Sequence, residues 1–323
     1  MDDASAAPAI ELVTVGETMG VVAADEIGPL RNGHRMLLGI AGAESNVAIG
    51  VSRLGHHSAW VGRVGADPIG SLVVRELRAE SVDVSRVVVD PEAANGFMLK
   101  SRRTTATSQV NYLRRDSAGS RLCTGDIPAD LVAGARLLHV TGITAALSTS
   151  AFEALRHVIA VARSAGVTVS FDVNHRSALW SETGARTALH ELVPLCDVLF
   201  ASENEAALLL GDSDAGAAAL ALSALGPHQV VVKRGELGYT ACIDGEMFSD
   251  RAIDVPVADP VGAGDAFVAG YLASWLDGAA PAEALRTANA AGAFVVAVPG
   301  DWEGLPTRAE LVAFENRTDA VTR

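Results

Sequence analysis

Short apolar runs alternate with amphipathic stretches along most of the chain, and this rhythm predicts strands and helices in turn. Ile10 to Val15, Ala59 to Val64, Leu137 to Thr141, Val167 to Phe171, Val198 to Ala201 and Val230 to Val232 read as buried strands. Helical spacing marks Ser45 to Leu54, which stops at Gly55, and Ile69 to Glu80. A capping box of Ser150 with Glu153 predicts a helix running to Ala165 and closed by Gly166. The last two helices are expected at Asp265 to Trp275 and Pro281 to Val296. Strands separated by helices favour an α/β fold with a mostly parallel sheet.

Two segments break the rhythm. Residues 18–40 and 95–115 lack a helical face and carry turn signals, among them Asn95-Gly96 and a hairpin apex at Thr104 to Thr107. They predict a small β-sheet built from two insertions and projecting from one domain that spans residues 1–323. Val21, Val22, Met98, Leu99 and Val110 give that sheet apolar positions. An isolated sheet has open edges that favour covering, so homodimerisation through this element is expected.

Composition narrows the function. A formal net charge of −14 argues against nucleic-acid and anionic-membrane partners. Cys123, Cys196 and Cys242 are scattered, without metal-ligand spacing, as expected of reduced thiols. The acidic start of the chain has no apolar region after it, and no uncharged run reaches spanning length. A cytoplasmic location is therefore expected.

The strongest chemical signal is Gly262-Ala263-Gly264-Asp265, a glycine-rich turn opening onto an apolar helix. Small residues let several backbone N–H groups converge, and the helix dipole adds partial positive charge there. Such an anion hole suits a phosphoryl group, and Asp265 at its mouth could take a proton from an alcohol. An ordinary helix start with a dipole-steadying acid would look the same in isolation. No GxxxxGK[ST] loop occurs, no GxGxxG follows the first strand, and neither HExxH nor GxSxG is present.

The rest of the chain breaks the tie. Asp259-Pro260-Val261-Gly262-Ala263-Gly264-Asp265-Ala266-Phe267 and, earlier, Gly42-Ala43-Glu44-Ser45-Asn46-Val47-Ala48 stand in order and far apart. With these motifs the sequence resembles the ribokinase-like (PfkB-type) carbohydrate kinases along essentially its whole length. Within them it is most similar to 2-keto-3-deoxygluconate kinases, through Gly16-Glu17, Tyr112 to Ser120, Asp172 to Arg176, Ser202 to Ala206 and Gly300 to Gly304.

The resemblance implies a three-layer α/β/α sandwich with a β-lid, and ATP-dependent phosphorylation of a sugar hydroxyl with Mg²⁺. Asp265 would be the general base, with Gly262, Ala263 and Gly264 as the anion hole. Gly42, Asn46, Tyr112 and Asp301 would contact the sugar, and Arg114 and Arg176 would clamp its carboxylate. Ser202, Lys233, Gly235, Gly238 and Asn289 would border the nucleotide, and Glu205 would reach the metal through water. Some relatives suggest a monovalent cation near Asp259.

Three departures bear on substrate and nucleotide. Ser202 replaces the asparagine usual three residues before the glutamate, Met98 stands where a pocket tyrosine is plausible, and Ala41-Gly42 replaces paired glycines. A fructokinase or other neutral-sugar kinase of the same fold is the alternative. A non-catalytic sugar- or ATP-binding protein is the alternative of another class.

Overall fold

A computed structural model describes residues 9–102, 104 and 108–316. The first strand, β1 (Leu12–Val15), leads into an insertion made of β2 (Met19–Ile27) and β3 (Met36–Ala41). Helix α1 (Ala43–Arg53) then returns the chain to β4 (Ser58–Val61). Next come β5 (Arg63–Gly65), α2 (Pro68–Ala79) and β6 (Val88–Asp90). The expected strand from Ala59 to Val64 is thus two strands broken at Gly62, because β5 leaves the main sheet to pair with β6.

The second insertion is β7 (Phe97–Arg102) and β8 (Ser108–Leu113). After it come α3 (Ala129–Gly134), β9 (Leu137–Thr141), α4 (Gly142–Leu147), α5 (Thr149–Ser164) and β10 (Thr168–Asp172). The chain continues through α6 (Glu182–Leu192), β11 (Val198–Ser202), α7 (Glu203–Leu210), α8 (Ala215–Ser223) and β12 (Gln229–Lys233). A meander of β13 (Tyr239–Ile243) and β14 (Glu246–Asp250) precedes α9 (Ala263–Leu276), α10 (Pro281–Val296) and α11 (Arg308–Glu315).

The main sheet has eight strands in the order β14-β13-β12-β11-β10-β9-β1-β4. From β4 to β12 the pairs are parallel, and β13 and β14 add antiparallel strands at one edge. Successive strand residues face opposite layers. Val13, Leu138, Leu199 and Val230 pack with α5, α6 and α8, whereas Leu12, Leu137, Phe200 and Val231 pack with α1, α9 and α10. Both faces are dry, so the fold is the expected three-layer α/β/α sandwich.

The two insertions form a separate four-stranded sheet, β3-β2-β7-β8, in which β2 and β7 run parallel. The hairpin apex expected at Thr104 to Thr107 lies, apart from Thr104, outside the described residues. Met98 is not an open apolar position of this lid: it packs with Met19 and Ala41 in a small core, against Val21 and Val110. Ile27, Leu37, Leu38, Tyr112 and Leu113 carry the lid's exposed apolar surface instead.

The start of α5 also differs from expectation. Ser148, not Ser150, is its N-cap, because its extended backbone lets the hydroxyl accept from Ala151 N–H at 3.1 Å while donating to the Ser120 carbonyl at 2.6 Å. The three cysteines are free thiols, two of them buried. Among the described residues no single helix is long and apolar enough to cross a membrane.

Candidate active site

Parallel strands end together at one edge of the sheet, and α/β proteins bind ligands beyond that edge. Here Thr141, Asp172, Ser202 and Lys233 are the last residues of β9, β10, β11 and β12, and Gly16-Glu17 follow β1. Helix α9 starts over the same edge. Its N-cap, Gly262, has φ of +80°, and a Cβ there would lie 1.9 Å from the Asp301 carbonyl oxygen. Left-handed backbone and close approach together demand glycine. The turn brings the free N–H groups of the first helical turn to the edge, beside the loop that carries Asp301.

Asp265, in that first turn, and Asp301 meet on one amide. Asn46 Nδ2 donates to Asp265 Oδ2 at 2.8 Å and to Asp301 Oδ1 at 3.2 Å. Asn46 is buried in α1, directly after the turn at Gly42. A Cβ on Gly42 would stand 2.5 Å from the Glu17 carbonyl oxygen, so the chain passes too closely there for a side chain.

The two carboxyls titrate far from their ordinary range. Burial, then the charge of Asp301, raises Asp265 to about 7 against the Asn46 hydrogen bond. Burial, then Glu303, raises Asp301 to about 6, with Lys100, Asn46 and Arg176 opposing. A carboxyl poised near neutrality can accept a proton and release it again.

Lys233 lies on the other side of the turn. Its Nζ is 2.6 Å from Asp172 Oδ2 and 3.6 Å from where a Gly264 Cβ would stand. Burial works against the charge, yet Asp172, Glu205 and Asp265 outweigh it and hold the ammonium above the usual lysine range. Gly235 and Gly238 turn the chain after β12 with φ of +57° and +91°. Ser202 caps α7, and Glu205 closes the capping box, accepting from Ser202 N–H at 2.6 Å and His175 N–H at 2.7 Å. Asn289 donates to the Arg251 carbonyl at 2.8 Å, and Arg251 runs close beside Gly238, where a Cβ would lie 2.6 Å from its carbonyl carbon.

A divalent ion arriving with a nucleotide keeps most of its waters and needs few protein oxygens. Among the described residues no three acids or histidines cluster as a protein-only site. Each Glu205 oxygen accepts one backbone N–H and keeps a lone pair, so this donor set fits contact through water.

The two arginines differ sharply. Arg176 is exposed and its side chain makes no hydrogen bond or ion pair among the described residues, and its charge is felt at Asp301. Arg114 is buried, and its Nε donates to Glu17 Oε2 at 2.8 Å while Ser117 holds the other carboxylate oxygen. Tyr112 is 42% exposed on β8, with the Arg114 guanidinium 5.9 Å from its ring centre.

Sequence reasoning missed two features here. Lys100, on lid strand β7, crosses to Asp259 Oδ2 at 2.8 Å. Glu44 is wholly buried; burial pushes its carboxyl up while Thr141 and Thr144 both donate to Oε1. Neither partner set is local, so no motif announced them.

Comparison with known proteins bears on the chain as a whole. Residues 9–308 match the model of the pfkB family of carbohydrate kinases. A 2-dehydro-3-deoxygluconokinase of Bacillus subtilis is 39% identical over 308 residues, covering 94% of this chain and 95% of the relative. Another, from Thermoproteus tenax, is 37% identical over 305 residues, with 93% of each chain covered. A ribokinase II of E. coli, crystallised with ATP and Mg²⁺, superposes with a TM-score of 0.88 at 26% identity, covering 96% of this chain and all of that one.

Proposed function

The chain belongs to the pfkB family of carbohydrate kinases, and from that premise we propose that it phosphorylates the 6-hydroxyl of 2-keto-3-deoxygluconate with ATP. The observation that carries the chemistry is Asp265, a carboxylate with its pKa near neutrality at the mouth of an anion-binding turn, joined through Asn46 to the sugar side. The substrate rests on likeness to two 2-dehydro-3-deoxygluconokinases over more than nine-tenths of each chain, and on the exposed, unpaired cation of Arg176.

In this reading Gly42, Asn46, Tyr112 and Asp301 hold the sugar, and Arg114 and Arg176 face its carboxylate. The two arginines contribute differently. Glu17 already neutralises Arg114, which offers oriented donors, while Arg176 supplies net charge. The hydroxyl oxygen attacks the γ-phosphorus, the bond to the β,γ-bridging oxygen breaks to leave ADP, and the hydroxyl proton passes to Asp265. The N–H groups of Gly262, Ala263, Gly264 and Asp265 receive the phosphoryl oxygens, where preorganised donors cost no reorganisation.

Ser202, Lys233, Gly235, Gly238 and Asn289 border the nucleotide, and Glu205 holds Mg²⁺ through water. The metal, when bound, shields the ATP phosphates. A monovalent cation near Asp259 would compete with the ammonium of Lys100. The whole chain, 1–323, acts as one kinase domain with a lid that excludes water from the phosphoryl site. Two chains pair through the lid, which a clean monomer in sedimentation at micromolar concentration would contradict.

A panel of acidic and neutral sugars with an ATP-coupled readout tests the substrate. Strong preference for 2-keto-3-deoxygluconate is expected. Preference for fructose would replace it with a neutral-sugar kinase, and ATP consumption independent of every sugar would remove the kinase reading.

A further inference from the structure

Carboxylates flank the place where a highly charged phosphoryl group would have to enter. Asp172 and Glu205 end or follow parallel strands of the sheet, and Asp265 and Asp301 share the Asn46 amide. Backbone N–H groups offer partial charge only. A full positive charge beside these acids offsets them, and Lys233 supplies one: its ammonium is bound to Asp172, and Glu205 and Asp265 also act on it.

Its direction is the informative point. Lys233 sits at the start of the Gly235–Gly238 turn, but its ammonium points back into the sheet edge. Nζ contacts Asp172 Oδ2 at 2.6 Å and stands 3.6 Å from the Cβ position of Gly264, in the middle of the anion-binding turn. An ammonium carries three donors. One goes to Asp172, and no other hydrogen bond of Nζ is made among the described residues. The lysine side chain is 17% exposed and its aspartate partner 2%, so the opening is toward the site and the anchor is inside.

We propose that Lys233 is a catalytic residue, an ammonium anchored by Asp172 that donates to the transferring phosphoryl group from the side opposite the sugar. Asp172 is its positioning residue. The role deepens the kinase reading and rests on it. As negative charge spreads over the phosphoryl oxygens in the transition state, a fixed cation at hydrogen-bond range gains more there than in the ground state. The same charge acts on the base, since Lys233 lowers the Asp265 carboxyl against burial and the acids Asp301 and Asp172.

The test compares Lys233→Met, Asp172→Asn and the double variant with the wild type, using ATP, Mg²⁺ and 2-keto-3-deoxygluconate. The double variant removes both buried charges at once and leaves neither unpaired, so it folds where Lys233→Met alone could fail. Lys233→Met and the double variant should lose about 10²–10³-fold in kcat, with the sugar KM within about threefold of wild type. In Lys233→Met the rise of kcat/KM with pH should also move to higher pH, because Asp265 loses its cation, whereas in the double variant it should not, because the opposing charge of Asp172 is lost with it. A merely structural ion pair would move neither the pH profile nor kcat in a variant that melts like the wild type. A double variant that melts normally and keeps kcat within about threefold overturns the proposal. A wild type that turns over no sugar overturns the kinase reading instead, so the two failures are distinct.

Discussion

Replacing Asp265 with asparagine separates chemistry from fold, because the two respond in opposite directions. Burial and the charge of Asp301 raise the Asp265 carboxyl from 3.8 to about 7. Between those values the folded chain keeps the proton while the unfolded chain gives it up, so stability falls as pH rises toward about 7. Each pH unit of that window costs about 1.4 kcal/mol, which sums to at most about 4 kcal/mol by pH 8. Asp265 is partly exposed and shares its field with Asp301, and solvent screening reduces the figure to roughly 1–3 kcal/mol. Asparagine carries no charge and can still accept from Asn46 Nδ2. Asp265→Asn should therefore melt roughly 2–6 °C higher than the wild type at pH 8, with the gain shrinking toward pH 4. Turnover should fall by about 10²–10⁴-fold, the usual cost of removing a general base. Thermal melting at both pH values and an ATP-coupled assay read the two effects on one sample. Near-native turnover would refute the base, and an unchanged melting temperature at pH 8 would refute the buried-charge argument.

Four further outcomes follow from the site. In the wild type, kcat/KM for the sugar should climb with pH through about 7 as the free enzyme's Asp265 ionises; a flat profile across that value would count against it. Arg176→Ala should weaken the acidic sugar by roughly one to two decades in kcat/KM and leave melting unchanged, since the side chain is exposed and unpaired. Arg114→Ala should add a stability loss of about 3–5 kcal/mol, because Glu17 keeps a buried charge without its partner; equal melting of both variants would contradict the contrast. Lys100→Met should free the lid from Asp259, seen as faster amide exchange across Phe97–Arg102 and higher KM for sugar and ATP together. Unchanged exchange would show that the ion pair does not hold the lid.

Legibility in the sequence follows the range of the interactions. The glycine turn and Asp265 were readable because a helix start is built from consecutive residues, although α9 begins two residues before the expected Asp265. The six parallel strands were readable because they are apolar on both faces, and the lid because its segments lack a helical period, whereas β13 and the largely exposed β14 were not expected. The error at Ser150 has a partner outside the segment: Ser148 takes the cap two residues earlier, and its hydroxyl is held by the Ser120 carbonyl, 28 residues away. What stayed hidden is the pairing across topology. Arg114 seeks Glu17 97 residues away, Lys100 seeks Asp259 159 away, and Asn46 reaches Asp301 255 away. The carboxylate-clamp role written for Arg114 therefore carried no hint that a buried glutamate already shares it.

The order in which the layers appear along the chain has its own consequence for synthesis. All eight strands of the main sheet are complete by Asp250, yet α9 and α10, which cover one face, come later. A ribosome-bound chain of that length would have α1 alone to cover the face of Leu12, Leu137, Phe200 and Val231, leaving apolar surface that invites chaperones and that a hydrophobic dye would detect on a 1–250 fragment. The glycine turn and Asp265 arrive on the very helix that seals this face. A half-made chain thus has nothing with which to spend ATP, and chemical competence is acquired in the same step as solubility.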